Sequence, residues 1–293
     1  MRLLIFLLTS LSLNAQIIPL FFYQNSTPAS CGTPVLTTAS GATLKFWYSA
    51  DCMTAISPCA TSYSDGHTFI TNDHWQDRSG NNRTATIDAS EPACVFKLNE
   101  INGLPAVSFG GGGSGPDGSG NCGWGISQPD VGATSWGIFV AWQGQSTTSK
   151  GDFLGPFTTA AGPGTFKYQT NDLNTTHREQ GLDKSEIALV GDGTATSDLN
   201  WHQLNIRFSN QADQNTLIFR LDEAPDGTST PNATINTTNG GIGRIGIEKS
   251  NGTYLEAITG RMEEIFGYAG TGVLLTAGEV TTNETYLRCR IGH

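Results

Sequence analysis

The sequence predicts an all-β protein, and three observations carry that expectation. Gly accounts for 36 of the 293 residues, and Thr, Ser and Asn crowd the segments between apolar runs. Charged residues make up only 14%, the profile of many short strands joined by polar turns. Apolar residues recur at period two or in short unbroken runs, while long helical periodicity is missing almost throughout. A chain of this length accommodates one large all-β domain. The formal net charge of -10 gives no general attraction for phosphate backbones, so nucleic acid is set aside as a partner.

Residues 1–15 carry one basic side chain, Arg2, and an apolar run over 3–13, followed by Asn14 and Ala15. This matches a secretory signal with a small residue at the cleavage point, and the run is too short to span a bilayer comfortably. The competing expectation keeps the segment as an apolar anchor peptide. A second apolar patch over 17–23 follows at once, so residues 1–25 would then dock into another virion or surface protein. Residues 16–41 read as a polar linker or N-terminal extension, leaving 42–293 for the domain.

Within 42–50, Leu44, Phe46 and Tyr48 alternate with Lys45, Trp47 and Ser49, so a strand with one buried face is expected. His74 and Trp75 end an extended run, residues 79–82 (Ser-Gly-Asn-Asn) supply turn chemistry that tolerates positive φ, and 85–87 resume the strand. Asn102-Gly103 makes a tight turn into the apolar strand 104–109, whose Pro105 sits near the start, where a missing N–H does least harm. The glycine-rich stretch 110–125 costs more backbone entropy to order than other compositions, so it is either loose or held by a contact. Residues 136–142 read as a buried strand, 153–168 as a hairpin, 171–197 as polar and loop-rich with one weak strand at 186–190, and 240–248 as a further strand. The one candidate helix covers 274–287, about three turns, with threonines that weaken it.

Six cysteines, Cys31, Cys52, Cys59, Cys94, Cys122 and Cys289, form an even set. In an exported protein they imply three disulfides, with Cys52–Cys59 the most local pairing; assembly in a bacterial cytosol would favour free thiols. No C-x-x-C occurs and the histidines do not cluster near the cysteines, so zinc has little support. N-x-S/T sequons begin at Asn25, Asn82, Asn174, Asn232, Asn236, Asn251 and Asn283, as chance supplies in a chain rich in Asn and Thr.

The string W-Q-D-R-S-G-N-N-R-T-A-T over 75–86, followed by I-N-G-L-P-A-V-S-F-G-G over 101–111, resembles the concanavalin A-like, laminin-G-type jelly-roll modules of bacterial surface proteins and phage structural proteins. Residues 201–208 with 216–222 look like that family's back-sheet hairpin, and 260–268 with the terminal 286–292 like its final strand and short closing helix. The resemblance implies a two-sheet antiparallel jelly-roll sandwich with at most one or two short helices. It does not fix function, because this fold carries lectins, glycosidases, adhesion modules and structural domains alike.

Glycosidases on this fold use two carboxylates flanking the scissile bond. The resembling enzymes arrange them as E-x-D-x-x-E or E-x-D-x-E, and neither string occurs here. Glu263 and Glu264 are adjacent, as are Asp222 and Glu223, so on a regular strand each pair points to opposite faces. No G-x-S-x-G is present, and His202 reads as an ordinary strand residue. The expectation is therefore no catalysis, with a cryptic glycoside hydrolase as a remote alternative.

Sugar recognition needs an aromatic platform with Asp, Asn and backbone partners for hydroxyls, often with a calcium ion ordering the loop. Asp117, Asn121 and Trp124 share the glycine-rich stretch and are the candidate ligand-binding set, with calcium as the candidate cofactor. Equally open is a structural role, with Trp124 plugging the sheet and Cys122 tied to another cysteine. Trp47, Trp75, Trp136, Trp142 and Trp201 sit in strand-like runs and read as core, and Asp77 and Asn82 as turn residues bonding their own backbone. The leading functional expectation is a non-catalytic carbohydrate-recognition or adhesion module, extracellular or on a virion, with a glycan as partner. The second is a structural virion protein attached by its apolar N-terminus.

Overall fold

The computed structural model describes residues 31–53, 63–70, 73–87, 94–110, 122–127, 135–144, 151–155, 167–174, 177–184, 187–190, 199–209, 217–229, 242–250, 253–255, 257–271 and 275–292. Two antiparallel sheets of eight strands each are stacked face to face, and one helix lies on the back of the first.

The first sheet runs β14 (Ala224–Ser229), β13 (Leu217–Leu221), β12 (Trp201–Ser209), β7 (Ser135–Gly144), β18 (Thr259–Gly270), β5 (Leu104–Gly110), β4 (Val95–Ile101). β1 (Thr43–Ser49) meets the same edge of β18 as β5, further along: β5 pairs with 259–262 and β1 with 264–269. The second sheet runs β11 (Ile187–Val190), β10 (His177–Lys184), β9 (Lys167–Asn174), β8 (Gly151–Gly155), β15 (Ile242–Ile245), β6 (Trp124–Ser127), β3 (Ala85–Ile87), β2 (His74–Trp75). A separate ribbon joins β16 (Glu248–Ser250) to β17 (Thr253–Leu255).

The all-β sandwich and the β12–β13 hairpin are as the sequence implied. Asn102 and Gly103 both take positive φ, 49° and 77°, in the two-residue turn between β4 and β5, where glycine carries no Cβ penalty. Three expectations change. The described residues between 171 and 190 form strands rather than mainly loop, because backbone ladders between β9, β10 and β11 order a segment whose residues lack apolar alternation. β1 is buried on both faces, since the helix covers the side that carries Trp47. Residues 31–41, read as linker, are pinned to the domain: Cys31 is disulfide-bonded to Cys289, Asn283 Oδ1 accepts from the Val35 N–H at 2.9 Å, and Glu279 Oε1 accepts from the Ser40 N–H at 3.1 Å.

The helix α1 (Ala277–Ile291) is 15 residues long and ends where its caps dictate. Thr276 accepts from the Glu279 N–H while the Glu279 carboxylate accepts from the Thr276 N–H, a reciprocal capping box. At the other end Gly292 takes φ 75° and donates to the Arg288 carbonyl. Val280, Tyr286, Leu287 and Ile291 on α1 pack against Trp47, Phe139 and Phe266 of the first sheet. Between the sheets lies the larger core, with Phe46, Phe109, Trp142 and Met262 from one side and Trp75, Trp124, Phe153 and Ile245 from the other. Cys94–Cys122 ties the start of β4 to the start of β6 across that core. Cys52 is also disulfide-bonded; the expected partner, Cys59, lies outside the described residues.

Candidate functional site

The candidate set Asp117, Asn121 and Trp124 is not brought together on the described surface. Asp117 and Asn121 lie outside the described residues. Trp124 is fully buried, edge-on to Phe69 at 4.9 Å and to Trp75 at 5.8 Å between ring centroids, so it serves the core and presents no platform. Strand parity explains this. Trp124 is paired with Ile87 on β3 and Ile245 on β15, both core residues, so its neighbour Gly125 faces the other way.

That opposite parity builds a polar row across the outward face of the second sheet. The registers place His74 beside Thr86, Thr86 beside Gly125, Gly125 beside Arg244, and Arg244 beside Gly155. At ordinary strand spacing these five positions span roughly 19 Å. The adjacent residues Trp75, Ala85, Ile87, Trp124, Ile126, Ile245 and Leu154 are core. The back of the first sheet is closed by α1; among the described residues no helix covers the second sheet. Arg244 is only 9% exposed despite rising from the non-core side, and Thr86 is exposed. The signal in the sequence was a lone arginine in a strand otherwise made of Gly and Ile.

The turn between β2 and β3 is held by Asp77, whose carboxylate accepts from the backbone N–H groups of Trp47, Ser79 and Arg83 at 2.9–3.0 Å. As expected, Asp77 bonds its own turn; Asn82 supplies a positive φ of 56°. On the next row of the outward face the Thr84 hydroxyl donates to Gln76 Oε1 at 3.2 Å. Just before β2, Asp73 accepts from the Tyr63 hydroxyl and the Ile70 N–H and lies 2.9 Å from His67 Nε2, with the Tyr63 and His67 rings stacked at 4.4 Å. Burial alone would raise the Asp73 carboxyl, but these hydrogen bonds outweigh it and hold it below its ordinary range. The same contact, with burial, pushes the Tyr63 hydroxyl up to about 12.

The adjacent acids Glu263 and Glu264 do not point to opposite faces. The β18–β7 register shifts between Met262 and Glu264, which makes Glu263 the extra residue of a β-bulge and turns both carboxylates toward α1. Both are fully buried. Arg290 of α1 pairs with Glu263, lies 3.1 Å from Glu264 Oε2, and reaches Asp51 Oδ2 at 3.0 Å. Trp47 Nε1–H and the Tyr286 hydroxyl donate to Glu264 Oε1. Burial pushes Glu264 up to about 8, against the pull of Arg290, and raises Glu263 likewise. Asp222 accepts from the Gln203 N–H and lies 2.6 Å from His202 Nδ1, while Glu223 pairs with Arg288, so His202 is a satisfied strand residue. Among the described residues no group of three or more His, Cys, Asp and Glu is placed to hold a metal ion; residues 111–121, in the stretch for which calcium is expected from the sequence, lie outside the described residues.

No family model matches the chain, and no curated protein matches it in sequence. Solved structures do match in shape. Domain 4 of AbnA, a GH43 extracellular arabinanase from Geobacillus stearothermophilus solved with arabinotriose, aligns over 84% of this chain and 99% of that domain at 14% identity and a TM-score of 0.56. The Ruminococcus gnavus IT-sialidase CBM40, solved with α2,3-sialyllactose, aligns over 51% of this chain and 83% of that one at 11% identity, with a TM-score of 0.41. The NanB sialidase of Streptococcus pneumoniae aligns over 52% of this chain and 24% of that one at 15% identity, again at 0.40. The arabinanase domain shares its fold with 84% of this chain, and at this identity fold is what the likeness establishes.

Proposed function

We propose that the chain is a non-catalytic carbohydrate-recognition module working outside the cell, and that it offers the outward face of its second sheet to a glycan. The observation that carries this reading is the row His74, Thr86, Gly125, Arg244 and Gly155 across five strands, two side chains followed by an arginine between two glycines. Hydroxyl-rich ligands are held by placed polar groups, and glycines let a sugar ring approach the backbone. The likeness in fold to an arabinanase domain solved with arabinotriose supports a glycan ligand. Disulfides support an oxidising compartment.

The carboxylates argue against hydrolysis. The adjacent glutamates turned to one side, Glu263 and Glu264, are fully buried beneath α1 and paired with Arg290. The test is a glycan array together with affinity electrophoresis in arabinan, laminarin, agarose and carrageenan, with released reducing sugar measured in parallel. Retention on at least one glycan without release is expected. Absence of any retention overturns recognition, and release that survives purification overturns the non-catalytic reading.

A further inference from the structure

We propose that the glycan seated on this face is neutral and that His74 and Thr86 anchor it at the β2–β3 edge of the second sheet. The inference rests on the reading of that sheet as the glycan face and adds the subsite and the class of sugar.

His74 on β2 and Thr86 on β3 are register partners, so their side chains leave the sheet on one side with Cβ atoms roughly 5 Å apart. Their chain neighbours Trp75, Ala85 and Ile87 are core, which fixes both on the outward side. His74 is half-buried and Thr86 exposed. Among the described residues neither the His74 ring nor the Thr86 hydroxyl has a hydrogen-bond partner, so both are open to a ligand. Two residues away on either chain, the Thr84 hydroxyl donates to Gln76 Oε1 at 3.2 Å, and Gln76 Nε2 donates to the Asp77 carbonyl at 3.3 Å. That bonded pair borders the patch and is set before a ligand arrives. On the other flank half-buried Gly125 of β6 pairs with Thr86. Having no side chain, it lets a sugar ring come down against the backbone beside the hydroxyl.

The chemistry of these groups selects the ligand. A hydroxyl both donates and accepts, and a neutral imidazole has one N–H and one lone pair. Sugar hydroxyls have the same double character, so a pair of neighbouring ones uses every group on offer. A carboxylate or sulfate only accepts, and it leaves the accepting half of each group unmet. The row offers an anion no open cation in exchange: Arg244, its one permanently charged side chain, is 9% exposed and engaged within the chain. Asp73, whose carboxylate accepts from the Tyr63 hydroxyl and the Ile70 N–H, immediately precedes His74. With a net charge of -10 on the chain as a whole, a polyanion approaching this edge meets like charge.

The test is calorimetric titration of the full chain with neutral arabinan and laminarin oligosaccharides, a galacturonic acid oligosaccharide and a sulfated galactan oligosaccharide. A neutral oligosaccharide is expected to bind at least about tenfold tighter than either acidic one. Thr86→Val keeps the β-branched shape and removes the hydroxyl, and His74→Ala removes the ring. Each is expected to weaken neutral binding about tenfold with little change in melting temperature. The four oligosaccharides need only the unaltered protein, so the class of sugar stays testable if a variant fails to fold. Equal or tighter binding of an acidic oligosaccharide overturns the neutral class, and undiminished binding by both variants overturns the anchor; either result leaves glycan recognition standing. If no glycan is retained in the array described above, both readings fall.

Discussion

Arg290, in the last turn of α1, holds its Nε 3.1 Å from the Glu264 carboxylate on the bulged strand beneath, and both groups are buried. With Glu263 and Asp51 added, one guanidinium serves three acids, so the helix is bonded to the first sheet through a charge cluster as well as an apolar seam.

That cluster sets a pH dependence. Glu264 titrates at about 8 in the folded chain against an ordinary 4.5, so the folded state binds the extra proton. Its stabilising contribution is full below about pH 4.5 and is lost as pH rises through 8. Glu279 has the opposite sign. Burial raises it, but hydrogen bonds from Thr276 and Ser40 hold it at about 2, so its contribution is lost as pH falls from 4.5 toward 2. Thermal melting across pH 3–9 is expected to show a maximum near pH 5 and a decline above it. Glu264→Gln should flatten the alkaline limb; an unchanged slope would remove Glu264 as its source.

Arg290→Met leaves two buried carboxyls without their cation and is expected to cost about 3–5 kcal/mol. Adding Glu263→Gln and Glu264→Gln to that variant should recover part of the loss, because the neutral amides no longer require a counter-charge. Urea unfolding of the single and triple variants measures the coupling directly.

The Cys31–Cys289 disulfide spans 258 positions, and a loop of that size restricts the unfolded chain strongly. Replacing both cysteines by serine is expected to lower stability by about 2–5 kcal/mol. The denaturation midpoint with and without reductant checks it, and a double variant that melts with the parent would show that the N-terminal segment is held by its hydrogen bonds alone.

Trp124 and Gly125, one residue apart, should separate fold from binding. Trp124→Ala opens a cavity in the core and is expected to cost about 3–5 kcal/mol. Gly125→Leu sets a side chain on the proposed floor and is expected to remove glycan retention with little change in melting temperature. A Gly125→Leu chain that is retained like the parent would move the site off this face.

Much of the fold was legible in residues that act locally. Asn102-Gly103 specified its turn and the apolar run 136–142 its buried strand, while the helix expected over 274–287 lies at Ala277–Ile291, its ends set by the Thr276–Glu279 box and Gly292. What was not legible depends on partners distant in sequence. The second buried face of β1 exists only because α1 lies on it, and the shared direction of Glu263 and Glu264 only because a bulge falls between the stretches paired with β5 and β1. The candidate site was missed by one residue of parity on β6. Tryptophan next to glycines suggested a platform, whereas its register with Ile87 and Ile245 sends it inward and exposes the glycine.

The bond between Cys31 and Cys289 brings the two Cα atoms within 5.5 Å, on the α1 side of the sandwich, behind the second sheet. A pull applied to the chain ahead of Cys31 and beyond Cys289 would pass from sulfur to sulfur without loading the strands between them. A molecule tethered in this way would bear tension as a closed clasp.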